Sequence, residues 1–468
     1  MNIPSIKSLL LAALAVTALS CTLDNDRLPD PSVEQRSIPG LLRSATVQAT
    51  FNQHSLPART AGILMQYLDR LESSIFFVEN YDIPASYMEA YWSSGLYRGS
   101  LKTANDLLQL SQELGDTDAE GIAHVILALE FANATTSFGD IPYSQALGGS
   151  DGIIKPVLDP QQEVYLAIIE QLTEAIALLS VGGNPLIAEA DFLHGGDIAK
   201  WKKLAHGLRA RYGNHLLAKG LWSTSQVLAD IDQSYKSHDE QGKFQFLMVG
   251  NIEHPIRSFV EQRPSTVAGN PDFLQSLTER NDPRNPFYFA TDGGGNIDIA
   301  TMSSDLVWTS RNSVLPWLSF AELQFIKAEI LVLTGAADVQ ISEALQSAIA
   351  GSLDQMGINS ASHQEFVEQY GTVSIGSTNE QKLQQIIEEA YYSYYGYAWQ
   401  QAWSNYRRTG YPELPNTGSP NENNRSGTLP ERYLYPQEVK DLNLDNFQEA
   451  EIRQSGAFLD TPLWIFED

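Results

Sequence analysis

Cysteine is almost absent from this sequence, because Cys21 is the only one. No later residue can therefore form a disulfide, act as a thiolate nucleophile or give a cysteine ligand to zinc. Histidine is also scarce, with eight residues scattered along the chain and no HExxH zinc motif among them. The stability of the folded part must come from packing, for which a hydrophobic content of 43% is ample.

Positive charge and long apolar runs are the other shortages. Thirty Lys and Arg residues stand against 57 Asp and Glu residues, which gives a net charge of -27. This balance speaks against nucleic acid and against broad contact with anionic lipid, since both bind basic surfaces. Beyond the N-terminus, no stretch approaches the roughly 18 apolar residues of a membrane-spanning helix. A neutral ligand or a protein partner remains open.

The N-terminus has the pattern of an export signal. Lys7 precedes the uncharged run Ser8–Ser20, which is too short to cross a bilayer because spanning takes about 20 residues. Cys21 follows directly, and Ala18-Leu19-Ser20-Cys21 resembles a bacterial lipobox, whose cysteine is lipidated. We predict a signal peptide over 1–20, a flexible lipid-anchored tether over 21–35 and a folded domain over 36–468. Ordinary cleavage with an incidental cysteine is the alternative.

Helical period and helix caps dominate the rest of the chain. The best example is Val164, Ile168, Leu172, Ala175 and Leu179, which share one helix face behind a predicted cap at Asp159. Further caps are predicted at Thr117, Ser319 and Ser377. The predicted helices cover 57–77, 85–113, 117–137, 159–181, 197–219, 318–334, 341–356 and 379–406. Several form consecutive pairs, 85–137, 159–219 and 318–356, which favours a mainly α fold of degenerate tetratricopeptide-like helix pairs.

Two segments break this pattern. Residues 238–316 are rich in Gly, Pro, Asn and Asp and have no sustained helical period, and residues 409–437 hold several prolines. Long irregular segments on a helical scaffold commonly carry function. We therefore expect binding residues in or near them.

A set of motifs in a fixed order resembles one known family. These motifs are Trp92-Ser93-Ser94-Gly95-Leu96-Tyr97, Phe138-Gly139-Asp140-Ile141-Pro142-Tyr143, Gly196-Asp197 with Lys200-Trp201-Lys202 and Leu208-Arg209-Ala210-Arg211, Asp282-Pro283-Arg284, Phe320-Ala321-Glu322-Leu323 with Ala328-Glu329, Trp403-Ser404-Asn405-Tyr406-Arg407-Arg408-Thr409-Gly410-Tyr411-Pro412, and Arg432-Tyr433-Leu434-Tyr435-Pro436. The set resembles SusD/RagB-type nutrient-binding outer-membrane lipoproteins of Bacteroidota. No single motif is specific; the ordered set behind a lipoprotein signal is.

This resemblance implies a SusD-like, mostly α-helical fold with four tetratricopeptide-like helix pairs and no catalysis. It implies a lipid anchor on the outer leaflet, where the protein would cap a SusC/RagA-type TonB-dependent β-barrel. The ligand would be a glycan or, in some members, a peptide. Asp24 and Asp26 are similar to the signals that send such lipoproteins to the cell surface.

Aromatic residues divide into a predicted core set and a predicted binding set. Tyr391, Tyr395, Trp399 and Trp403, with Tyr406 one step further, form a helical stripe that is typical of core. A glycan site needs exposed rings with polar groups at their edges. From the loop aromatics and the segments that the family uses, the predicted ligand-binding residues are Tyr81, Tyr87, Tyr91, Tyr288 and Trp308, with Arg311 and Asn312 as polar partners.

Other chemistry is set aside on its spacing. The acidic run from Asp441 lacks the glycine and the final glutamate of an EF-hand. The Gly293–Asn296 run lacks the lysine of a phosphate loop and is at most a loose calcium site. Structural roles are favoured for Asp140, Arg284, Arg407 and Arg408. We predict no cofactor, no metal and no enzyme activity; the rival hypotheses are a surface-anchored glycoside hydrolase and a protein-binding tetratricopeptide scaffold.

Overall fold

The computed structural model describes residues 36–70, 75–179, 185–247, 252–263, 266–291, 297–298, 306 and 309–467. The predicted signal, the predicted tether and Cys21 lie outside these residues. None of the described helices is both long and apolar enough to cross a membrane.

Helices form most of the molecule. In chain order the α-helices are α1 (Ile38–His54), α2 (Leu56–Leu64), α3 (Phe76–Glu79), α4 (Leu101–Leu114), α5 (Thr117–Phe138), α6 (Gln161–Leu178), α7 (Pro185–Ala188), α8 (Ile198–Leu216), α9 (Thr224–Gln233), α10 (Pro255–Gln262), α11 (Pro271–Glu279), α12 (Asn285–Tyr288), α13 (Phe320–Leu333), α14 (Asp338–Gln355), α15 (Gln364–Gly371), α16 (Asn379–Ser393), α17 (Trp399–Thr409), α18 (Gln437–Leu442) and α19 (Leu444–Arg453). Short 3-10 turns cover Ala85–Met88, Gly148–Asp151, Ser360–His363 and Trp464–Phe466, and Tyr91–Ser100 is a π-helix.

The strands are short and pair antiparallel. They are β1 (Leu68–Arg70), β2 (Phe244–Gln245), β3 (Val267–Gly269), β4 (Ala290–Thr291), β5 (Ile297–Asp298) and β6 (Val314–Leu315). Among the described residues β1 pairs with β3, β2 with β6 and β4 with β5. Leu68 lies opposite Gly269, so the first sheet ties the N-terminal helices to the irregular segment.

The mainly α fold with tetratricopeptide-like helix pairs is confirmed. Helix α4 packs against α5, α6 against α8, and α13 against α14, which are the pairs that the sequence predicted. Helix α6 also packs against α5, which joins the first two pairs. Helix α5 is buried on almost every side, since it contacts α1, α4, α6 and α8. The predicted irregular region, 238–316, contains only short helices and strands among its described residues.

Three of the predicted long helices are wrong in extent. The predicted helix 57–77 ends at Leu64, because Gln66 takes a φ of +55° and the chain then enters β1. The predicted helix 379–406 breaks between α16 and α17, where Gly396 has a φ of +76°. The predicted helix 85–113 is a 3-10 turn, a π-helix and α4 in succession.

The π-helix has a visible physical cause. Gly99 has non-helical angles, φ -102° and ψ -108°, at its C-terminal end. The carbonyl of Gly95 accepts hydrogen bonds from Asn52 Nδ2 at 3.0 Å and from Ser100 Oγ at 3.2 Å. These side-chain donors bind the carbonyl of Gly95 inside the π-helix, and π-helical turns often lie near functional surfaces.

Only one of the four predicted caps is in register. Ser319 Oγ accepts from the Glu322 amide at 3.0 Å, as predicted. The other caps are displaced: Asp116 caps α5, Pro160 precedes α6 and Thr378 caps α16. Helices α1, α9, α11 and α19 were not predicted, although α1 carries Ser37 and a proline in its first turn as a start signal.

The motif residues assigned to structure have structural contacts. Asp140 Oδ1 accepts from the Gln161 amide at 2.8 Å, and its Oδ2 accepts from Arg453 Nε at 2.6 Å. Gly139 ends α5 with a φ of +89°. The corner that follows α5 is therefore fixed by its own aspartate.

The motif arginines are equally engaged. Arg407 donates to the carbonyls of Thr136 and Glu431, and Arg408 pairs with Glu329. Arg284 has no exposed surface and binds both carboxylate oxygens of Asp282. These contacts bind helices together and use the guanidinium donors internally.

Candidate functional site

The predicted tyrosines of the early loop are mostly covered. Tyr81 is 1% exposed and Tyr91 4%, so neither presents a ring face to solvent. Tyr87 is half-buried, and its ring lies edge-on to Phe77 with centroids 4.9 Å apart. The expectation that these loop aromatics form an exposed platform is wrong for Tyr81 and Tyr91. Tyr91 stacks on Phe138 with centroids 6.2 Å apart. A distant segment covers Tyr81.

That segment comprises residues 411–418, which we call the strap. Thr417 Oγ1 donates to the Glu79 carbonyl at 2.7 Å, which holds the strap against α3. Gly418 lies so close to Tyr81 that an added Cβ would stand 2.2 Å from its Cδ2 atom. Sequence order gives no sign of this contact, since more than 300 residues separate its two sides.

The remaining predicted site residues are dispersed. Tyr288 is fully buried, and its hydroxyl donates to the Tyr392 carbonyl at 2.8 Å. Burial raises its pKa well above the ordinary tyrosine value. Trp308 lies outside the described residues. Arg311 and Asn312 lie on the surface, as expected of polar partners.

Arg311 and Asn312 lie in different surroundings. Arg311 Nη2 binds Glu261 Oε2 at 2.6 Å, and this exposed ion pair lowers the pKa of Glu261. Asn312 lines a surface groove of about 440 Å³ together with His238, Lys243 and Asp354. No Phe, Tyr or Trp ring lines this groove in the described part of the chain. It is a polar surface without the stacking wall that a sugar needs.

A second hollow has both aromatic and polar side chains in its lining. Of its rings, Tyr392 is half-buried, whereas Phe273 and Tyr391 are only 4% and 7% exposed. The hollow has a volume of about 320 Å³ and lies among the strap, the start of α11 and α16. Its lining consists of Gln66, Asn270, Asp272, Phe273, Ser276, Gln384, Glu388, Tyr391, Tyr392, Pro412, Glu413, Leu414 and Pro415. We call it the strap hollow. Its volume is within the range of about 300–1,000 Å³ that small-ligand sites occupy.

The aromatic wall of the strap hollow is rigid. The rings of Phe273 and Tyr392 stack with centroids 5.8 Å apart and planes 20° apart. Tyr391 stacks on Tyr67 at 4.4 Å and donates from its hydroxyl to the Met65 carbonyl at 2.8 Å. Aromatic packing of this density fixes the orientation of each ring before any ligand arrives.

Polar groups surround that wall. Asn270 caps α11, with Oδ1 accepting from the amides of Asp272 and Phe273 at 2.9 and 3.0 Å. Gln384 Nε2 donates to Glu388 Oε1 at 2.9 Å. The side-chain amides and carboxylates are the groups that hydrogen-bond sugar hydroxyls.

The strap is fixed over the hollow at both ends. Tyr411 Oη donates to Glu380 Oε1 at 2.7 Å, and Gln66 Nε2 donates to the Pro415 carbonyl at 2.6 Å. Pro412 and Pro415 further restrict the backbone between these anchors. One side of the hollow is thus made by a loop of fixed shape.

Sequence reasoning missed the residues of this hollow. Tyr391 was assigned to the core, which its 7% exposure supports, and the buried Tyr395, Trp399 and Trp403 confirm that stripe as core. Phe273, Tyr392 and Asn270 were not singled out. The available signal was the proline-rich segment 409–437, which contains the strap and was expected to carry function.

The strongly buried carboxylates are engaged elsewhere. Glu322 binds Arg211, Glu389 binds Arg280 at 2.7 Å and Asp282 binds Arg284 at 2.6 Å. Desolvation raises the pKa of Glu389, while Arg284 and Arg280 hold that of Asp282 below its usual value against the cost of burial. Within the described ranges, no group of three or more His, Cys, Asp or Glu side chains could hold a metal ion.

Known proteins share the architecture of this chain. The SusD-like_2 family, described as "Starch-binding associating with outer membrane", matches residues 31–436. A solved chitin-binding protein aligns at 20% identity with a TM-score of 0.76, over 92% of this chain and 100% of its own. No curated protein matches the chain.

Two further solved structures agree. A SusD/RagB family protein from Bacteroides thetaiotaomicron aligns at 23% identity with a TM-score of 0.72, over 92% of this chain and 99% of its own. A chitin-binding SusD homolog from Flavobacterium johnsoniae aligns at 20% identity with a TM-score of 0.74, over 91% and 99%. At these identities the likeness shows a shared fold.

Proposed function

Because the chain belongs to the SusD-like family of outer-membrane-associated starch-binding proteins, we propose that it is a cell-surface lipoprotein that binds an oligo- or polysaccharide and delivers it to a SusC-like TonB-dependent transporter. The strap hollow is the proposed glycan site, and the protein acts by binding without catalysis. The observation that carries this proposal is one rigid aromatic wall with amides and carboxylates at its edges.

Glycan binding uses the two kinds of group that the hollow combines. The C–H face of a sugar ring packs on the exposed part of Tyr392, and its hydroxyls bond to Asn270, Gln384 and Ser276. The predicted polar partners Arg311 and Asn312 stay a separate proposal, because they line none of this hollow. They would contact a ligand long enough to extend along the surface.

Membrane attachment is proposed from the sequence alone. Lipidation of Cys21 would place the domain beside the β-barrel, and the acidic segment after it would act as the tether. Palmitate labelling of the wild type and of Cys21→Ser tests this step. Labelling that persists in Cys21→Ser would refute the proposed anchor.

Binding is tested by titrating the purified protein with a polysaccharide panel in a calorimeter. We expect Tyr392→Ala to lower the affinity about fivefold, since a lost stacking contact is worth about 1 kcal/mol. Phe458→Ala is the matched control, because Phe458 is also half-buried under an arginine, Arg425, at 3.4 Å and does not line the hollow. Equal affinity losses in both variants would refute the proposed site.

The two rival functions predict different results when the same protein is assayed for turnover, ligand affinity and co-purifying partners. Release of reducing ends from any polysaccharide would establish a glycoside hydrolase. Absence of affinity for every glycan and peptide, together with co-purification of a β-barrel, would establish a protein-binding scaffold. Affinity without turnover, with barrel co-purification, is the result we expect.

A further inference from the structure

The strap hollow has an uneven balance of charge. Its lining includes the carboxylates of Asp272, Glu388 and Glu413, and among the residues that the structure describes it includes no Lys, Arg or His side chain. Each carboxylate comes from a different element: α11, α16 and the strap. The negative charge therefore surrounds the cavity and does not belong to one helix end.

These three carboxylates are not neutralised within the described part of the chain. Glu388 accepts a hydrogen bond from neutral Gln384, and no described residue forms an ion pair with Asp272, Glu388 or Glu413. Arg280, which does not line the hollow, stacks on the Tyr392 ring at 3.9 Å. Both oxygens of Glu389 bind its guanidinium at 2.8 and 2.7 Å, so this cation is already paired.

The arrangement suits an organic cation better than a metal ion. The described carboxylates do not converge into a group that could hold a metal. An ammonium group carries three donors, which separate carboxylates and amides around a cavity can accept.

On this basis we propose that the strap hollow selects glycans that carry free primary amines over their acetylated or hydroxylated equivalents. This inference rests on the proposed glycan-binding function and names its substrate class. The aromatic wall holds the sugar face, and the carboxylates bind the protonated amine. A neutral acetamide or hydroxyl at the same position forms hydrogen bonds without the charge attraction.

The test compares three β-1,4-linked hexamers of equal length in calorimetric titrations of the purified protein. They are the fully deacetylated glucosamine hexamer, the fully acetylated hexamer and cellohexaose. At a pH where the amine is protonated, we expect the deacetylated hexamer to bind at least about tenfold more tightly. This preference should shrink between about 0.01 M and about 0.15 M salt, because the attraction is electrostatic.

Charge-neutral variants assign the preference to the hollow. Glu388→Gln and Glu413→Gln should each lower affinity for the deacetylated hexamer about fivefold, a larger loss than the one they cause for cellohexaose, because glutamine can still hydrogen-bond a hydroxyl. The control is Glu365→Gln, which removes one exposed charge away from the hollow. Melting curves of all variants verify that they fold.

The outcomes separate the two proposals. Binding of all three hexamers with equal affinity would overturn the amine preference and leave glycan binding intact. A preference that survives in the Glu388→Gln, Glu413→Gln double variant would overturn its assignment to the strap hollow. Failure to bind any glycan would overturn the proposed function itself.

Discussion

Glu130 gives the sharpest prediction of pH-dependent stability. Its side chain is fully buried in α5, where Asn52 Nδ2, Ser100 Oγ and Asn133 Nδ2 donate to it. Burial raises its pKa from 4.5 to about 7, and the three hydrogen bonds oppose this rise in part. Between these two pH values the folded protein holds a proton that the unfolded chain has released.

Proton linkage gives the sign and size of the effect of Glu130 on the free energy of unfolding. The contribution of Glu130 to the free energy of unfolding is fully present below pH 4.5 and is lost as the pH rises through about 7. At about 1.4 kcal/mol per pKa unit, the loss is on the order of 3 kcal/mol. The ionised carboxylate then remains buried beside the π-helix without a cation among the described contacts of its side chain.

The perturbation is Glu130→Gln, which keeps the shape and removes the titration. Urea unfolding of both proteins at several values between about pH 4.5 and pH 8 gives the difference in unfolding free energy. We expect the variant to gain about 3 kcal/mol relative to the wild type across that range. Other titrating groups cancel in the difference, and Glu365→Gln is the exposed control.

A difference that stays flat from pH 4.5 to pH 8 would refute the reasoning. It would mean that Glu130 titrates alike in the folded and unfolded states. A constant difference in unfolding free energy between the two proteins, added to the pH-dependent part, would not refute the reasoning. Lost hydrogen bonds to the new amide change stability equally at every pH.

Three further predictions concern packing. Tyr81→Ala should lower the unfolding free energy by about 3–5 kcal/mol, whereas Phe76→Ala, at 42% exposure, should cost less than about 1 kcal/mol, both measured by urea unfolding. Gly418→Ala should displace the strap and weaken ligand binding in calorimetry, whereas Gly149→Ala, with open space around it, should not. Arg284→Met should lower the unfolding free energy by about 3 kcal/mol in urea experiments, because the buried Asp282 carboxylate loses its close partner and keeps only Arg280 at 3.7 Å.

Each of these three predictions would be contradicted by a specific result. Equal stability losses for the two aromatic substitutions would show that the early loop is not covered as described. Full ligand affinity in the strap variant would show that the strap does not shape the hollow. A small cost at the buried arginine would show that its partner finds other donors or solvent.

Local sequence determined the helical architecture to a large degree. Helix periodicity, caps and turn residues act over a few neighbours, so the pairs of α4 with α5 and α13 with α14 could be predicted from the chain. The Trp399 and Trp403 stripe was predicted as core for the same reason. Boundaries were less certain, because Gln66 and Gly396 leave helical geometry where the periodic pattern continues.

The folded chain alone decided which aromatic rings are covered. Tyr81 follows a loop signal in the sequence, yet Gly418 of the strap packs on its ring. Whether a side chain is buried depends on segments that meet only after folding, and local propensity carries no information about them.

The candidate site shows the same division. The sequence by itself determined the ordered family motifs, the export signal pattern and the irregular segments around a helical scaffold. Only the tertiary structure brought Gln66, Asn270, Tyr392 and Glu413 around one hollow. The reason is physical: a binding cavity is a property of spatial neighbours, and its walls here come from four separate parts of the chain.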